Sequence, residues 1–340
     1  MTSNPQPQVS VLLPVYNCPG YVGAAIESIL NQSFSDFELI IIDDGSTDST
    51  PEELDRFSDP RIRRYRQDNQ GLAATLNRAI FLAKAPLLAR QDQDDLSMPE
   101  RLKKQVLYMH ANPECGLLGS WAQIMEINKL SSRFHRHPTS DWELRYGLMF
   151  NNPFVHSSVM LRKSVVTELG GYTTDPERQP PEDYELWSRI ARVSTVANIP
   201  EVLLIYREIP GSMSRTGVSP FQRRLVRISA ENIAHSAGVE PNDSSVTAIA
   251  CLTHGTPEGL KGTPDFRLIH KILFRALEQC ASPANRPTLQ IDAELRLTSL
   301  KASWLAYNVP ILASVQRLRP FRKIAKGCLA LFRRLPTMMR

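Results

Sequence analysis

The sequence predicts an α/β protein: a mostly parallel sheet flanked by helices, followed by a helical C-terminal region. Three observations carry this reading. Short apolar runs rich in β-branched residues alternate with segments of helical period in the N-terminal part of the chain. Those runs are continuous rather than alternating, which suits strands covered on both faces. After about residue 220 the strand signal disappears and only helical periodicity remains.

The elements follow in order. Residues 9–14 (VSVLLP) form a first strand, and residues 21–34 place Val22, Ala25, Ile26, Ile29 and Leu30 at helical spacing. Residues 38–43 (ELIIID) are a second strand. Thr50-Pro51-Glu52-Glu53 opens a helix, with Thr50 as N-cap, Pro51 at the first helical position and Glu53 closing a capping box. Residues 62–66, 72–83 and 87–91 read as strand, helix and strand. Ser97-Met98-Pro99-Glu100 starts another helix by the same capping logic, running to about residue 110. Alternation at this spacing makes βαβ units. Residues 116–206 mix short strand-like pieces with loops, and residues 221–237, 266–280 and 293–307 read as helices. Gly, Ser and Pro cluster at 214–219, dividing the chain into 1–215 and a helical 216–340.

Composition bounds the function. A chain of 340 residues holds about two domains. Its 42% hydrophobic and 22% charged residues are globular values and exclude wholesale disorder. Five scattered cysteines without a CxxC pair argue against a zinc ribbon or a disulfide framework and for a reducing compartment. The net charge of +5 is unevenly spread. Residues 295–340 hold ten Lys or Arg and no acid, whereas residues 1–294 hold thirty bases and thirty-five acids. An evenly basic surface for nucleic acid is thereby excluded. The start, MTSNPQPQ, lacks the basic and apolar regions of a secretory signal. The apolar, uncharged stretch 302–316 is shorter than the roughly 20 residues of a membrane span. A cytoplasmic protein is expected.

In parallel α/β sheets ligands bind beyond the carboxyl ends of the strands. Strand one leads into Pro14-Val15-Tyr16-Asn17, strand two into Asp43-Asp44-Gly45-Ser46 and strand four into Asp92-Gln93-Asp94-Asp95. One aromatic and five carboxylates are therefore expected to converge. On extended chain Asp92 and Asp94 would point to one side about 7 Å apart, a spacing that suits Mg²⁺ or Mn²⁺ sharing its shell with phosphate oxygens. Tyr16 offers a face for a nucleobase, and Asp44 an acceptor for a base N–H or a sugar hydroxyl. Each feature alone has a plainer reading, since Asp is common in turns and at helix starts. Neither GxGxxG nor GxxxxGK[ST] follows strand one, so dinucleotide and P-loop chemistry are excluded.

Several motifs stand in one order: VSVLLPVYN (9–17), SILNQSF (28–34), IDDGSTD (42–48), Asn69-Gln70-Gly71-Leu72 with Asn77, ARQDQDD (89–95) with Pro99 and Arg101-Leu102, HSSVM (156–160), Gly170-Gly171-Tyr172, and Glu182-Asp183-Tyr184-Glu185-Leu186-Trp187. The segment 9–207 resembles glycosyltransferase family 2. The resemblance implies a GT-A, Rossmann-like fold and an inverting, metal-dependent transfer of a sugar from a nucleotide-diphosphate donor to a glycan or lipid-linked acceptor. It implies that Pro14, Tyr16, Asn17, Asp44, Asp92 and Asp94 bind the nucleotide sugar, that Asp92 and Asp94 meet the metal, and that Asp183 is the catalytic base. Asp95, His156, Glu182 and Arg90 are further candidates. Inversion needs a carboxylate opposite the leaving group to deprotonate the acceptor hydroxyl. Asp183 also stands where a helix N-cap would, and the two roles are compatible. His156 is read evenly as a phosphate or acceptor contact or as a buried histidine, and Arg90 rather as a structural partner of a carboxylate.

Two other functions compete with this one. A non-catalytic nucleotide-sugar-binding or scaffolding subunit could dispense with Asp183. A nucleotidyltransferase would want a basic Gly-rich loop after strand one, which is absent. In the tail, Arg317, Arg319, Arg322, Lys323, Lys326, Arg333 and Arg334 interleave with apolar residues, an expected interfacial segment on anionic lipid that would fit peripheral attachment.

Overall fold

In a computed structural model, residues 6–126, 128–209, 218–260 and 262–308 are described. The chain divides into two compact units, Met1–Ile228 and Ser229–Arg340. Of the boundary expected at 214–219, residues 214–217 lie outside the described residues, while 218 and 219 already belong to a helix, Val218–Ala237. The basic residues from Arg317 to Arg334 also lie outside them.

The first unit is built on one nine-stranded sheet. In chain order its strands are β1 (Val9–Val15), β2 (Phe37–Asp43), β3 (Ile62–Arg66), β4 (Leu87–Arg90), β5 (Leu96–Ser97), β6 (Cys115–Glu126), β7 (Lys129–His135), β8 (Met160–Arg162) and β9 (Thr195–Glu208). They lie in the order β3-β2-β1-β4-β8-β6-β9-β5, with β7 on β6. The β3-β2-β1-β4 half is parallel, as the alternating pattern requires. The other half is mixed: β8 runs antiparallel to β4 and β6, while β6 and β9 run parallel.

Helices α1 (Val22–Leu30), α2 (Thr50–Asp55), α3 (Leu72–Leu82), α4 (Arg101–Ala111), α5 (Asp141–Leu148), α6 (Lys163–Glu168) and α7 (Glu182–Val193) follow the strands. Side chains alternate across a strand, so β1 feeds two cores. Val9, Val11, Leu13 and Val15 pack with Ile26, Ile29, Leu102 and Val106 of α1 and α4. Leu12 packs on the opposite face with Leu76 and Ile80 of α3 and Leu186, Trp187 and Ile190 of α7. Pro14 is buried inside β1. Its missing N–H falls on the β4 side, where that ladder ends at Leu12 and Arg90, so no bond is lost.

Three helix starts or ends differ from the sequence reading. α1 stops at Leu30 because residues beyond it pair elsewhere: Gln32 donates to Met98 O and accepts from Leu102 N. The N-cap of α2 is Ser49, and Thr50 instead accepts from Cys18 N at 2.8 Å. Ser97 does not cap α4 but belongs to β5, and Arg101 begins the helix. The long strands β6 and β9 read as short pieces because their pairing is irregular: the register skips from Ser120–Ile199 to Trp121–Val202, around Pro200.

Helix α8 (Val218–Ala237) runs across the division between the units. The second unit continues with α9 (Ser244–His254), α10 (Phe266–Glu278) and α11 (Arg286–Asn308). Asp243 caps α9, accepting from Ser245 N and Val246 N, and Asp265 caps α10 in the same way. Ile269, Ile272, Leu273, Ala276 and Leu277 form the buried stripe of α10. Among the described residues no helix is long and apolar enough to cross a membrane.

Candidate active site

The carboxyl ends of β1, β2 and β4 meet, and side chains stitch them together. Tyr16, just past β1, has a ring on a residue that is 44% exposed. Its backbone N–H donates to Gln93 Oε1 at 2.7 Å and its carbonyl accepts from Gln93 Nε2 at 3.1 Å. Asn17 sits at φ +46° and its Oδ1 accepts from Thr47 N at 2.9 Å. That carboxamide oxygen therefore ties the β1 end to the β2 end, a task the sequence reading did not foresee.

Asp43 and Asp44, at the end of β2, each hold local partners. Asp43 accepts from Ser46 N within its own turn and lies 3.5 Å from Arg66 Nε. Asp44 is buried and holds the 67–71 loop: Oδ1 accepts from Gln67 Nε2 (2.6 Å) and Gln70 N (3.0 Å), and Oδ2 from Gly71 N (2.9 Å). The close approach of that loop requires glycine at 45, where a Cβ would sit 2.8 Å from Asn69 N and φ is +79°.

Beyond β4 the chain turns at Gln93 and Asp94 and does not continue as the extended segment expected. Buried polar groups fix this turn. Gln91 Nε2 donates to the Asp92 and Asp95 carbonyls, and Asp92 N donates to Ser157 Oγ. Arg101, wholly buried, donates to Gln91 Oε1, Ser97 Oγ, Gln105 Oε1 and the Arg90 and Val159 carbonyls. Burial pulls its pKa down to about 9. From β9, Arg207 donates its backbone N–H to Asp95 Oδ1 and its Nε to the Asp94 carbonyl. Arg90, equally buried, donates to Asp92 Oδ1 at 2.5 Å, the structural pairing considered for it.

Asp94 and Asp95 resist ionisation. Burial, then the Asp92 charge, raises Asp94 to about 6. Burial followed by Asp92 and Asp94 raises Asp95 well above the ordinary carboxylate range.

A second acidic pair starts α7. Asp183 lies in the first turn of that helix, whose N-cap is Pro181, so the capping alternative does not apply. Its Oδ2 accepts from Asn152 Nδ2 at 2.8 Å and its Oδ1 from Tyr184 N at 2.7 Å. Burial, with a further push from Asp92, raises Asp183 to about 6. Burial, then the Asp183 charge, raises Glu182 to about 7. The field of Asp92 reaches both residues, so the β4 turn and the start of α7 border one acidic region.

An aromatic wall backs this region. His156, Tyr172 and Trp187 have ring centroids 5.7–6.0 Å apart, and His156 Nε2 lies 3.0 Å from the Tyr172 hydroxyl. Burial drives His156 down to about 3, so the ring is neutral. Asn77 of α3 holds the wall by pairing with both backbone groups of Tyr172 at 2.8 Å. Gly171 (φ +75°) leaves room for that amide, since a Cβ would fall 2.4 Å from Asn77 Oδ1.

Among the described residues no three His, Cys, Asp or Glu side chains gather closely enough to hold a metal ion alone. The donors of the β4 turn are oxygen-only, and burial and mutual repulsion make Asp94 and Asp95 hard to ionise. Such a set fits a hard divalent cation that takes its remaining ligands from phosphate and water. Sequence reasoning missed the supports: Gln93 and Arg101 lie inside quoted motifs, whereas Arg207 and Asn152 carry no local signal.

The sequence matches the family described as Glycosyl transferase family 2 over residues 10–169. It is 34% identical over 205 residues to the O-antigen biosynthesis glycosyltransferase WbnJ of Escherichia coli, covering 58% of this chain and 79% of that protein. Among solved structures, TarS 1–349 of S. aureus in complex with UDP-GlcNAc aligns at 16% identity with a TM-score of 0.59, over 88% of this chain and 91% of the other. The mannosyltransferase PcManGT of Pyrobaculum calidifontis, in complex with GDP-Man and Mn²⁺, aligns at 17% identity with a TM-score of 0.51, over 95% and 84%. At these identities the structural likeness speaks to the fold, which is of the GT-A type. With the motifs in order, that fold beneath them and a close relative covered over most of its length, the chain belongs to glycosyl transferase family 2.

Proposed function

We propose that the first unit catalyses an inverting transfer of a sugar from a nucleotide-diphosphate donor to a hydroxyl of a glycan or lipid-linked acceptor, in assembly of a cell-surface polysaccharide or glycolipid. The observation that carries this is the nearness of two acidic sets, the Asp92–Asp95 turn and the Glu182–Asp183 helix start, close enough for the Asp92 charge to be felt at both Glu182 and Asp183. One set suits the diphosphate side of a donor and the other the acceptor side, as a single in-line displacement demands.

In this reading Tyr16 stacks on the base and Asp44 orders the 67–71 loop beside it. Asp92 and Asp94 would hold Mn²⁺ or Mg²⁺, which neutralises charge developing on the leaving diphosphate. Asp183 takes the acceptor proton, with Asn152 and Tyr184 N fixing its orientation. Glu182, raised to about 7, is only partly ionised at neutral pH, which reduces the negative charge beside Asp183. The ligands of TarS and PcManGT, UDP-GlcNAc and GDP-Man, support the donor class, and the O-antigen role of WbnJ supports the acceptor class.

A thermal-shift screen of nucleotide sugars with Mn²⁺, followed by slow hydrolysis assays of any that bind, tests the proposal. A protein stabilised by none of them and hydrolysing none of them refutes it. The basic stretch after Gln316 extends the proposal to peripheral attachment on the cytoplasmic face of an anionic membrane. Truncation after Gln316 should abolish co-sedimentation with anionic liposomes, and unchanged binding rejects the attachment.

A further inference from the structure

We propose that Gln93 is a positioning residue that locks the nucleobase platform to the diphosphate-facing turn, so that base and diphosphate are recognised as one rigid unit. The inference rests on the donor site described above and adds to it a residue with no ligand contact of its own.

The geometry is unusual for a turn side chain. Tyr16 lies one residue beyond β1, and the β1–β4 ladder ends at Leu12 and Arg90. No strand is left on that side to pair with Tyr16. Gln93 takes the strand's place: its amide oxygen accepts from Tyr16 N at 2.7 Å and its amide nitrogen donates to Tyr16 O at 3.1 Å. Both backbone groups of one residue are thus satisfied by one side chain, and the half-exposed Tyr16 ring is left free to stack.

Gln93 stands between Asp92 and Asp94 in a turn that cannot easily shift. That turn is gripped through Asp92 N by Ser157, through the Asp92 and Asp95 carbonyls by Gln91, and through the Asp94 carbonyl by Arg207. On its other side the β1 end is tied by Asn17 to Thr47. Removal of the Gln93 bridge therefore loosens Tyr16 against the carboxylates while leaving the carboxylates where they are. A donor that bridges both would then lose the advantage of a preorganised site.

Gln93→Met keeps the volume and deletes both bonds. The probes are UDP and GDP, whichever the wild type binds with Mn²⁺, and inorganic pyrophosphate with Mn²⁺, which has no base. The expected result is about tenfold weaker nucleotide binding, within the range that loss of one base–aromatic stack produces, with pyrophosphate binding unchanged. Adding Gln93→Met to Tyr16→Ala should weaken the nucleotide no further, because the effect passes through Tyr16. Hydrogen exchange at the Tyr16 amide, read without ligand, should be faster in Gln93→Met than in wild type.

Equal loss of nucleotide and pyrophosphate would overturn the proposal, since Gln93 would then be shaping the carboxylate turn. Additive losses in the double variant would overturn it too. Unchanged Tyr16 exchange in a protein that binds nucleotide removes the coupling and leaves the donor site standing. Wild-type protein that binds neither UDP nor GDP removes the donor site and the coupling with it.

Discussion

Asp183→Asn should separate chemistry from stability, because the structure sets the two effects in opposite directions. The carboxyl rises from 3.8 to about 6, chiefly through burial and then through Asp92. A carboxyl raised in the folded state penalises folding when ionised. The penalty is fully present above about pH 6 and vanishes below the ordinary carboxylate pKa near 4. Two units correspond to roughly 3 kcal/mol. Asparagine removes that penalty but keeps only one acceptor oxygen for two donors, Asn152 Nδ2 and Tyr184 N. Asn152 cannot simply flip, since its own Oδ1 accepts from Phe154 N. One unmade bond costs about 1 kcal/mol, leaving a net gain of roughly 1–2 kcal/mol at pH 8.

Loss of a general base should lower turnover by about 10²–10⁴-fold. The assays are urea denaturation at pH 8 and pH 4 in EDTA, and initial rates with a donor identified by the screen. The expected pattern is a variant more stable than wild type at pH 8, without that advantage at pH 4, and nearly inactive. Wild-type turnover would refute the assignment of Asp183, and an equal stability difference at both pH values would refute the electrostatic argument.

Arg101→Met takes the donor from the Arg90 carbonyl and from Gln105 Oε1 in the core, whereas the Val159 carbonyl keeps Arg90 N and Gln91 Oε1 keeps the Ser97 hydroxyl; at about 1–3 kcal/mol for each buried group left unpaired, the melting temperature should fall by at least ~4 °C. Asp94→Ala should weaken UDP or GDP binding in Mn²⁺ to the level wild type shows in EDTA, as read by titration calorimetry; retention of a metal effect would reject Asp94 as a ligand. His254 in α9 is lowered by burial to about 4, below its ordinary 6.5. Its unfolded form therefore takes up a proton first, and stability is lost as pH falls from about 6.5 toward 4, by at most ~1.4 kcal/mol per pH unit. His254→Gln should flatten thermal melts across that window, and an unchanged slope would reject the histidine as their source.

Three strands of the parallel half, β1, β2 and β4, were legible because they are buried on both faces and announce themselves as apolar runs; β1 and β2 lie as predicted to within a residue. The strands β6 and β9 were not legible, since a bulged register around Pro200 breaks the periodicity that a strand signal needs. Helix α9, with the sequence SSVTAIACLTH, was missed because small and β-branched residues mask its periodicity, and the Asp243 cap is visible only once the fold is known. At the site, residue types at strand ends were readable, whereas their partners were not. Thr50 shows why: a good N-cap residue in a good N-cap position instead accepts from Cys18, thirty-two residues earlier, because β1 ends beside it. A contact between distant strand ends has no local sequence signature.

That difference bears on how the aspartates divide. Asp44 and Asp94 both follow buried parallel strands, and a pattern alone ranks them as equals. The structure gives Asp44 three donors from the 67–71 loop, whereas burial and Asp92 leave Asp94 hard to ionise. A carboxylate already holding Gln67, Gln70 and Gly71 has one lone-pair direction left, on Oδ2, so any contact with a base would add to its structural work. Asp94 has the reverse character: its charge is compensated by its own backbone N–H and, less, by Arg90 and Arg207, and a cation brings more to it than any further hydrogen bond could. Where several acidic residues share a rim, the ones the fold leaves short of donors are those to which a charged ligand matters most.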